Sequence, residues 1–286
     1  MVRSRVAHLF ALGGLTLLLD ASPASAQVTV DPGNLYPSVG ALMVWRVDES
    51  GRPAELRGFA SGTLIHDRVM VTAGHFTAPA KALGELPPNI RIFASFSPTD
   101  ARDPTTWIPV VRLATHPSMP PCPPPPQCDP THEILVAPLE PGIADVGLVL
   151  LERAPKGAEA ARLADHGTLE KAEGAPTIIV GYGTTTPARG DMSSWDGKRR
   201  FRTSAVRRVV DETWALWSIP SYVCHGDSGG GIFLRPAADR KNGEARLVAN
   251  VSDGGLDCRR HNNNNRLDTP AIQRWMDETI RQFGVN

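Results

Sequence analysis

Short apolar runs separated by turn residues dominate this chain. Gly40–Arg46, Arg57–Ile65, Val69–Ala73, Ile90–Ser95, Trp107–Ala114 and Val146–Leu151 read as strands in the first half. Thr177–Gly181, Ser204–Val210, Thr213–Ser218, Gly230–Leu234 and Arg246–Val251 read as strands in the second. Many short strands at this spacing predict antiparallel sandwiches or barrels. Only the end carries a helical pattern. Thr269 can cap and Pro270 suits a first helical position, after which Ile272, Trp275, Met276, Ile280 and Phe283 fall at three- and four-residue steps, and Gly284 closes the segment. This is a helix docked on a core. Two stretches read as surface loops: the proline-rich Pro117–Pro130 and the Asn-rich Arg259–Arg266. Lys156–Gly174, rich in Ala, Glu and Lys, reads as a linker between two halves.

Composition narrows the class. With 41% apolar and 21% charged residues the 286-residue chain is globular, which excludes a disordered or collagen-like polymer. Thirty basic side chains balance thirty acidic ones, which argues against a nucleic-acid groove as the main feature. The 26 Gly and 26 Pro suit strands joined by turns rather than helices. Residues 1–26 have a different character. Arg3 and Arg5 precede a mostly apolar stretch, Ala7–Leu19, and Ala24-Ser25-Ala26 is a small-residue cleavage pattern. This reads as a secretory signal peptide cut after Ala26, because the apolar run is too short to span a bilayer and Asp20 and Pro23 interrupt it. Its removal takes away two Arg and one Asp, leaving a net charge of −1.

Export permits disulfides. Four cysteines allow three connectivities. The spacing suggests two local pairs, Cys122–Cys128 around a stiff PPPPQ stretch and Cys224–Cys258 near the most distinctive motif. No Cys-x-x-Cys or His cluster has ligand spacing, so no metal site is expected.

Three motifs stand in a fixed order: Val71-Thr72-Ala73-Gly74-His75 after a strand, Asp145 leading into Val146–Leu150, and Gly226-Asp227-Ser228-Gly229-Gly230. A His after a strand is usually structural, and an Asp before one is usually a turn residue. The Gly-rich run is sharper, since glycines flanking Asp-Ser free the backbone for close approach to a ligand. Together the motifs resemble the trypsin-like (chymotrypsin-fold) serine proteases. Gly58–Ile65 with the segment through His75 is similar to the family's strand pair before its catalytic His. His116-Pro117, Gly181-Tyr182-Gly183, Cys224 four residues before Ser228, and the closing helix are further landmarks. The resemblance runs from about Tyr36 to Phe283.

The resemblance implies a catalytic triad of His75, Asp145 and Ser228. A serine hydroxyl is a poor nucleophile, so His75 would take its proton, while Asp145 would fix the His tautomer and stabilise the imidazolium. The N–H groups of Gly226 and Ser228 would form an oxyanion hole. Separations of 70 and 83 residues mean the triad must assemble in space, at the cleft between two barrels if the resemblance holds. Gly226-x-Ser228-x-Gly230 also fits the nucleophile elbow of an α/β-hydrolase esterase. That fold places its acid and His after the Ser and a helix behind it; here only His261 follows, and Gly229–Leu234 reads as a strand. A protease-fold binding protein without activity is the alternative from another class.

Departures from the family carry information. The positions matching its His-strand disulfide are Ala60 and Phe76, so apolar packing is expected in place of the bridge. Many members activate when a new N-terminus pairs with the Asp before the nucleophile, here Asp227. Signal cleavage would leave Gln27-Val28-Thr29-Val30, so either Gln27 pairs with Asp227 or the domain satisfies Asp227 internally. Trypsin itself has an Asp six residues before its nucleophile; Tyr222 stands there here, followed by Val223, so no Lys or Arg preference is expected. Ser252, Asp253 and Gly254 match the pocket wall that pairs with a substrate strand, and His225 lines the rim. His66, His116, His132 and His166 read as surface or structural. Asn250-Val251-Ser252 fits a glycosylation sequon but falls in a strand beside the cleft.

The expected architecture is all-β: two six-stranded antiparallel barrels with a C-terminal α-helix. Residues 1–26 form the signal peptide, 27–155 the barrel carrying His75 and Asp145, and 156–286 the barrel carrying Ser228 plus the helix. The expected protein is an exported monomeric endopeptidase in the periplasm or outside the cell. It acts on polypeptides, with no cofactor, no nucleic-acid partner and no membrane attachment after cleavage.

Overall fold

A computed structural model describes residues 28–83, 86–120, 142–186, 194–219, 221–235, 245–254, 258–259 and 263–285. The expected signal peptide, Cys122–Cys128, His132 and His261 lie outside them. Six strands close the first barrel: β2 (Val39–Val47), β3 (Pro53–His66), β4 (Val69–Thr72), β5 (Ile90–Ser95), β6 (Ile108–Thr115) and β7 (Gly147–Leu151), in the order β2-β3-β4-β7-β6-β5. The second sheet runs β1-β9-β10-β13-β12-β11-β8, and a β8–β9 pairing closes it. Its strands are β1 (Thr29–Val30), β8 (Pro176–Gly181), β9 (Arg200–Val209), β10 (Trp214–Trp217), β11 (Gly231–Leu234), β12 (Arg246–Asp253) and β13 (Asn263–Arg266). All pairings between these strands are antiparallel. Two six-stranded barrels thus stand side by side, with β1 added outside the second.

The continuous apolar runs follow from this arrangement, because strands at the junction are buried on both faces. Along β2, Leu42 points into a cluster with Leu64, Met70, Ala94 and Val149 inside the first barrel. Its neighbours Ala41 and Met43 belong to a second cluster that includes Val180, Phe233 and Leu247 of the second barrel. Trp217, Ile179, Ile232 and Val248 fill the second barrel itself. The linker region passes over it, where Leu163 bridges Leu247.

The terminal helix α2 (Pro270–Gln282) has Thr269 in extended conformation at its cap, but the hydroxyl makes no capping bond. Its apolar face crosses back to the first barrel. Trp275 packs edge-on against His116, and Arg112 of β6 lies over Phe283 and donates to Gln282 O at 2.9 Å.

Two expectations fail. A second helix, α1 (Gly74–Leu83), follows β4, although Pro79 lies inside it. It is only ten residues long, so its sequence shows no helical period. The Asn-rich stretch is not all surface loop: Asn263–Arg266 is β13, between β10 and β12, with Asn264, Asn265 and Arg266 buried. Asn265 and Arg266 make hydrogen bonds inside the fold, and with four polar side chains the apolar signature of an interior strand is missing.

Candidate active site

His75 stands just past the end of β4, in the first turn of α1. Gly74 is required there, because a Cβ would meet Val146 N at 2.8 Å and the Asp145 carboxylate at 3.1 Å. This close approach sets the His75 main-chain N–H 2.7 Å from Asp145 Oδ1 and its Nδ1 2.9 Å from Oδ2. Asp145, fully buried, precedes β7. Ser252 of β12 donates its hydroxyl to Asp145 Oδ2. Burial pushes the Asp145 carboxyl up, but the His75 charge and the bonds from His75 and Ser252 outweigh it. The group therefore lies below the usual carboxylate range. The structure thus joins His75, Asp145 and Ser252 in one hydrogen-bonded chain across both barrels. Ser252 spends its proton on a carboxylate, so it buttresses the acid and is not poised as a nucleophile.

The Gly226–Gly230 loop is wedged between the barrels. Ser61 of β3 donates its N–H to Ser228 O at 2.8 Å and its hydroxyl to Gly226 O at 2.8 Å. Gly229 donates to Val251 O at 2.7 Å. A Cβ on Gly229 would collide with Thr72 and with Ala73 N, on the segment leading to His75; one on Gly226, at φ 88°, would collide with Phe59. Ser228 is half-buried on this loop.

Below the loop Asp227 is fully buried. Arg202 of β9 meets it with both arms, Nη2 to Oδ1 at 2.8 Å and Nη1 to Oδ2 at 2.9 Å. Gly183 N–H and Cys224 N–H donate to the same carboxylate at 2.9 and 3.0 Å. Arg202 Nη1 also donates to Tyr222 O. Of the two sequence hypotheses for Asp227, the internal partner is the one present. Gln27 lies outside the described residues; beyond it, β1 pairs with β9, and Asp31 forms a buried ion pair with Arg199 at 2.9 Å.

Tyr222 is held in the left-handed region at φ 52°. Gly254 packs so closely on Val223 that a side chain there would collide with Val223 O. His225 lies edge-on to Phe59, and Asp253 is exposed at the end of β12. The structure therefore brings Val223 and Gly254 together, and His225, half-buried, packs on Phe59 of the first barrel. The Cys224–Cys258 disulfide is present with Cα atoms 4.7 Å apart. Ala60 is buried in an apolar cluster against which Phe76 packs half-buried, so packing does replace the family's bridge. Asn250 is fully buried, which removes it as a glycosylation site. Among the described residues no group of three His, Cys, Asp or Glu could hold a metal, and no helix is long and apolar enough to cross a membrane.

Solved structures share this fold. The structure of GrC matches with a TM-score of 0.57 and 15% identity, over 88% of this chain and 97% of that one. Neuropsin, a serine protease expressed in the limbic system of mouse brain, matches with a TM-score of 0.55 and 17% identity, over 89% and 99%. The chain has the chymotrypsin-like two-barrel fold. No family model and no curated protein matches the sequence. The fold disposes of the esterase alternative, since the residues after Ser228 enter strand β11 rather than a helix.

Sequence reasoning missed three contributors. Arg202 lies in Arg199-Arg200-Phe201-Arg202, which has the appearance of a basic surface run. Asn265 sat in an apparent loop, and Asn250 in an apparent sequon. Their signal is burial of a polar side chain, which one sequence does not display.

Proposed function

We propose that this chain is a serine endopeptidase in which Ser228 attacks the scissile carbonyl and His75, oriented by Asp145, takes its proton. The observation that carries the reading is the hydrogen-bonded His75–Asp145–Ser252 chain, beside a Gly226–Gly230 loop seated on the segment that leads into His75. The mechanism requires the Ser228 hydroxyl to meet the free ring nitrogen of His75, and such hydroxyl–imidazole bonds are often long before substrate arrives. The N–H groups of Gly226 and Ser228 donate to no described residue, which leaves both for an oxyanion. His75 then protonates the leaving amine, and water, deprotonated by the same ring, releases the acyl group.

Tyr222, Val223 and Gly254 form the side-chain pocket in this reading, and none of the three is a carboxylate. Ser252 to Gly254 offer main chain to an extended substrate, Asp253 faces solvent and His225 borders the cleft. We further propose that residues 1–26 direct export and that the mature chain, barrels 27–155 and 156–286, works as a monomer. A Cys122–Cys128 bridge is part of the same proposal. Digestion of a randomised peptide library tests the function. Cleavage by the wild type without a dominant Lys or Arg preference, lost in Ser228→Ala, is expected. A dominant preference for Arg or Lys overturns the pocket, and equal cleavage by both proteins overturns the nucleophile.

A further inference from the structure

We infer that Asn250 and Asn265 are positioning residues that set the His75–Asp145 pair by holding the main chain of Asp145 from the opposite barrel. Asp145 belongs to the first barrel, yet neither of its peptide groups is satisfied there. Its N–H donates to Asn265 Oδ1 at 2.7 Å, and its C=O accepts from Asn250 Nδ2 at 3.2 Å. Both Asn side chains are fully buried and come from adjacent strands of the second barrel, with Asn250 paired to Asn265 in the β12–β13 register. The clamp reaches further. Asn250 Nδ2 also lies 3.4 Å from Thr72 O, on the strand leading to His75. Asn265 Nδ2 donates to Arg266 O at 3.0 Å, which fixes the amide so that its oxygen faces Asp145. Arg266 is in turn held by Asp268 at 2.9 Å and Glu170 at 2.6 Å.

The consequence concerns the carboxylate. With its peptide held on both sides, Asp145 meets the His75 N–H and ring nitrogen with separate oxygens. Packing of one barrel on the other thus sets the geometry of the acid and base. The side chains that touch Asp145 from β12 and β13 are uncharged, two amides and the Ser252 hydroxyl, so they orient the pair without adding a charge of their own. This inference rests on the protease reading of His75 and Asp145.

Two readouts on the full mature chain test it: the rate at which a fluorophosphonate acylates Ser228 as a function of pH, and the titration of the His75 ring by NMR. In Asn265→Leu the acylation plateau should fall by about tenfold, the fold-change of one net hydrogen bond. Its His75 titration should move to lower pH, because a displaced carboxylate stabilises imidazolium less. Asn265→Asp keeps an oxygen for the Asp145 N–H and adds a negative charge. It should recover most of the plateau and move the titration to higher pH. Asn250→Leu should act in the same direction as Asn265→Leu and serves if that variant does not fold. Opposite movements in the two Asn265 variants support the clamp. A lower melting temperature with the His75 titration unmoved in every variant overturns it. If the wild type is not acylated, the protease reading falls, and the NMR titration still decides the clamp.

Discussion

Removing the Arg202 guanidinium should damage stability and chemistry together. Arg202→Met keeps the length and apolar stem of the side chain and deletes its charge. Asp227 would remain fully buried with only the Gly183 and Cys224 N–H donors of the four groups that now hold it. Stripping one partner from a buried pair costs about 3–5 kcal/mol, because the other charge is left uncompensated. That is a large share of a typical stability of about 5–15 kcal/mol, so the variant should still fold, but marginally. If Asp227 swings toward solvent to relieve the buried charge, the Gly226 and Ser228 N–H groups, the proposed oxyanion donors, move with it. Losing one such donor lowers turnover by about 100- to 1000-fold. Arg202→Met/Asp227→Asn removes both charges and should recover most of the stability, since neutral replacement of a buried pair is often tolerated. Urea unfolding followed by tryptophan fluorescence gives the first quantity, and turnover of a peptide ester gives the second. An unchanged unfolding midpoint in Arg202→Met, with unchanged turnover, would refute the reasoning.

Because Arg202 already neutralises Asp227, a few extra residues on the mature N-terminus should leave peptide-ester turnover unchanged; loss of turnover would show that a free terminus is needed. Phe76→Ala should lower stability by about 2 kcal/mol, less than the cost of emptying a fully buried aromatic site, since Phe76 is half-buried. Calorimetry with an unaltered melting temperature would contradict it. Asp145, Asp211 and Glu170 are each pushed up by burial but pulled further down by their partners, so their folded pKa values lie below the unfolded ones. Their contribution is fully present above the unfolded carboxylate range of about 4 and is lost as pH falls through the lower folded values. Melting temperature should therefore hold from neutral pH to about pH 5 and drop below pH 4; a drop that begins near neutrality would count against this assignment.

Most of the architecture was legible because burial leaves an apolar trace. Ile90–Ser95 was bounded correctly, and β2 and β3 were found within a few residues, since the junction buries both faces of those strands. The site was legible through glycine. Gly74, Gly226 and Gly229 stand where any side chain would collide with the opposing segment, so chemistry and glycine travel together in the motifs. The polar interior was not legible. Asn263–Arg266 has no apolar face; within it Asn265 serves Asp145 and Arg266 serves the acidic groups around it. Arg202 looks like a surface cation until its buried carboxylate is placed. β1 is two residues long and depends on β9 for its existence.

The most direct measurement is the residue that carries the phosphonyl group after treatment of the mature protein with a fluorophosphonate, read by peptide mass mapping. The modification should fall on the peptide holding Ser228, and His75→Ala should abolish it. Modification of Ser252 in its place, or undiminished modification of Ser228 without His75, would contradict the proposed relay.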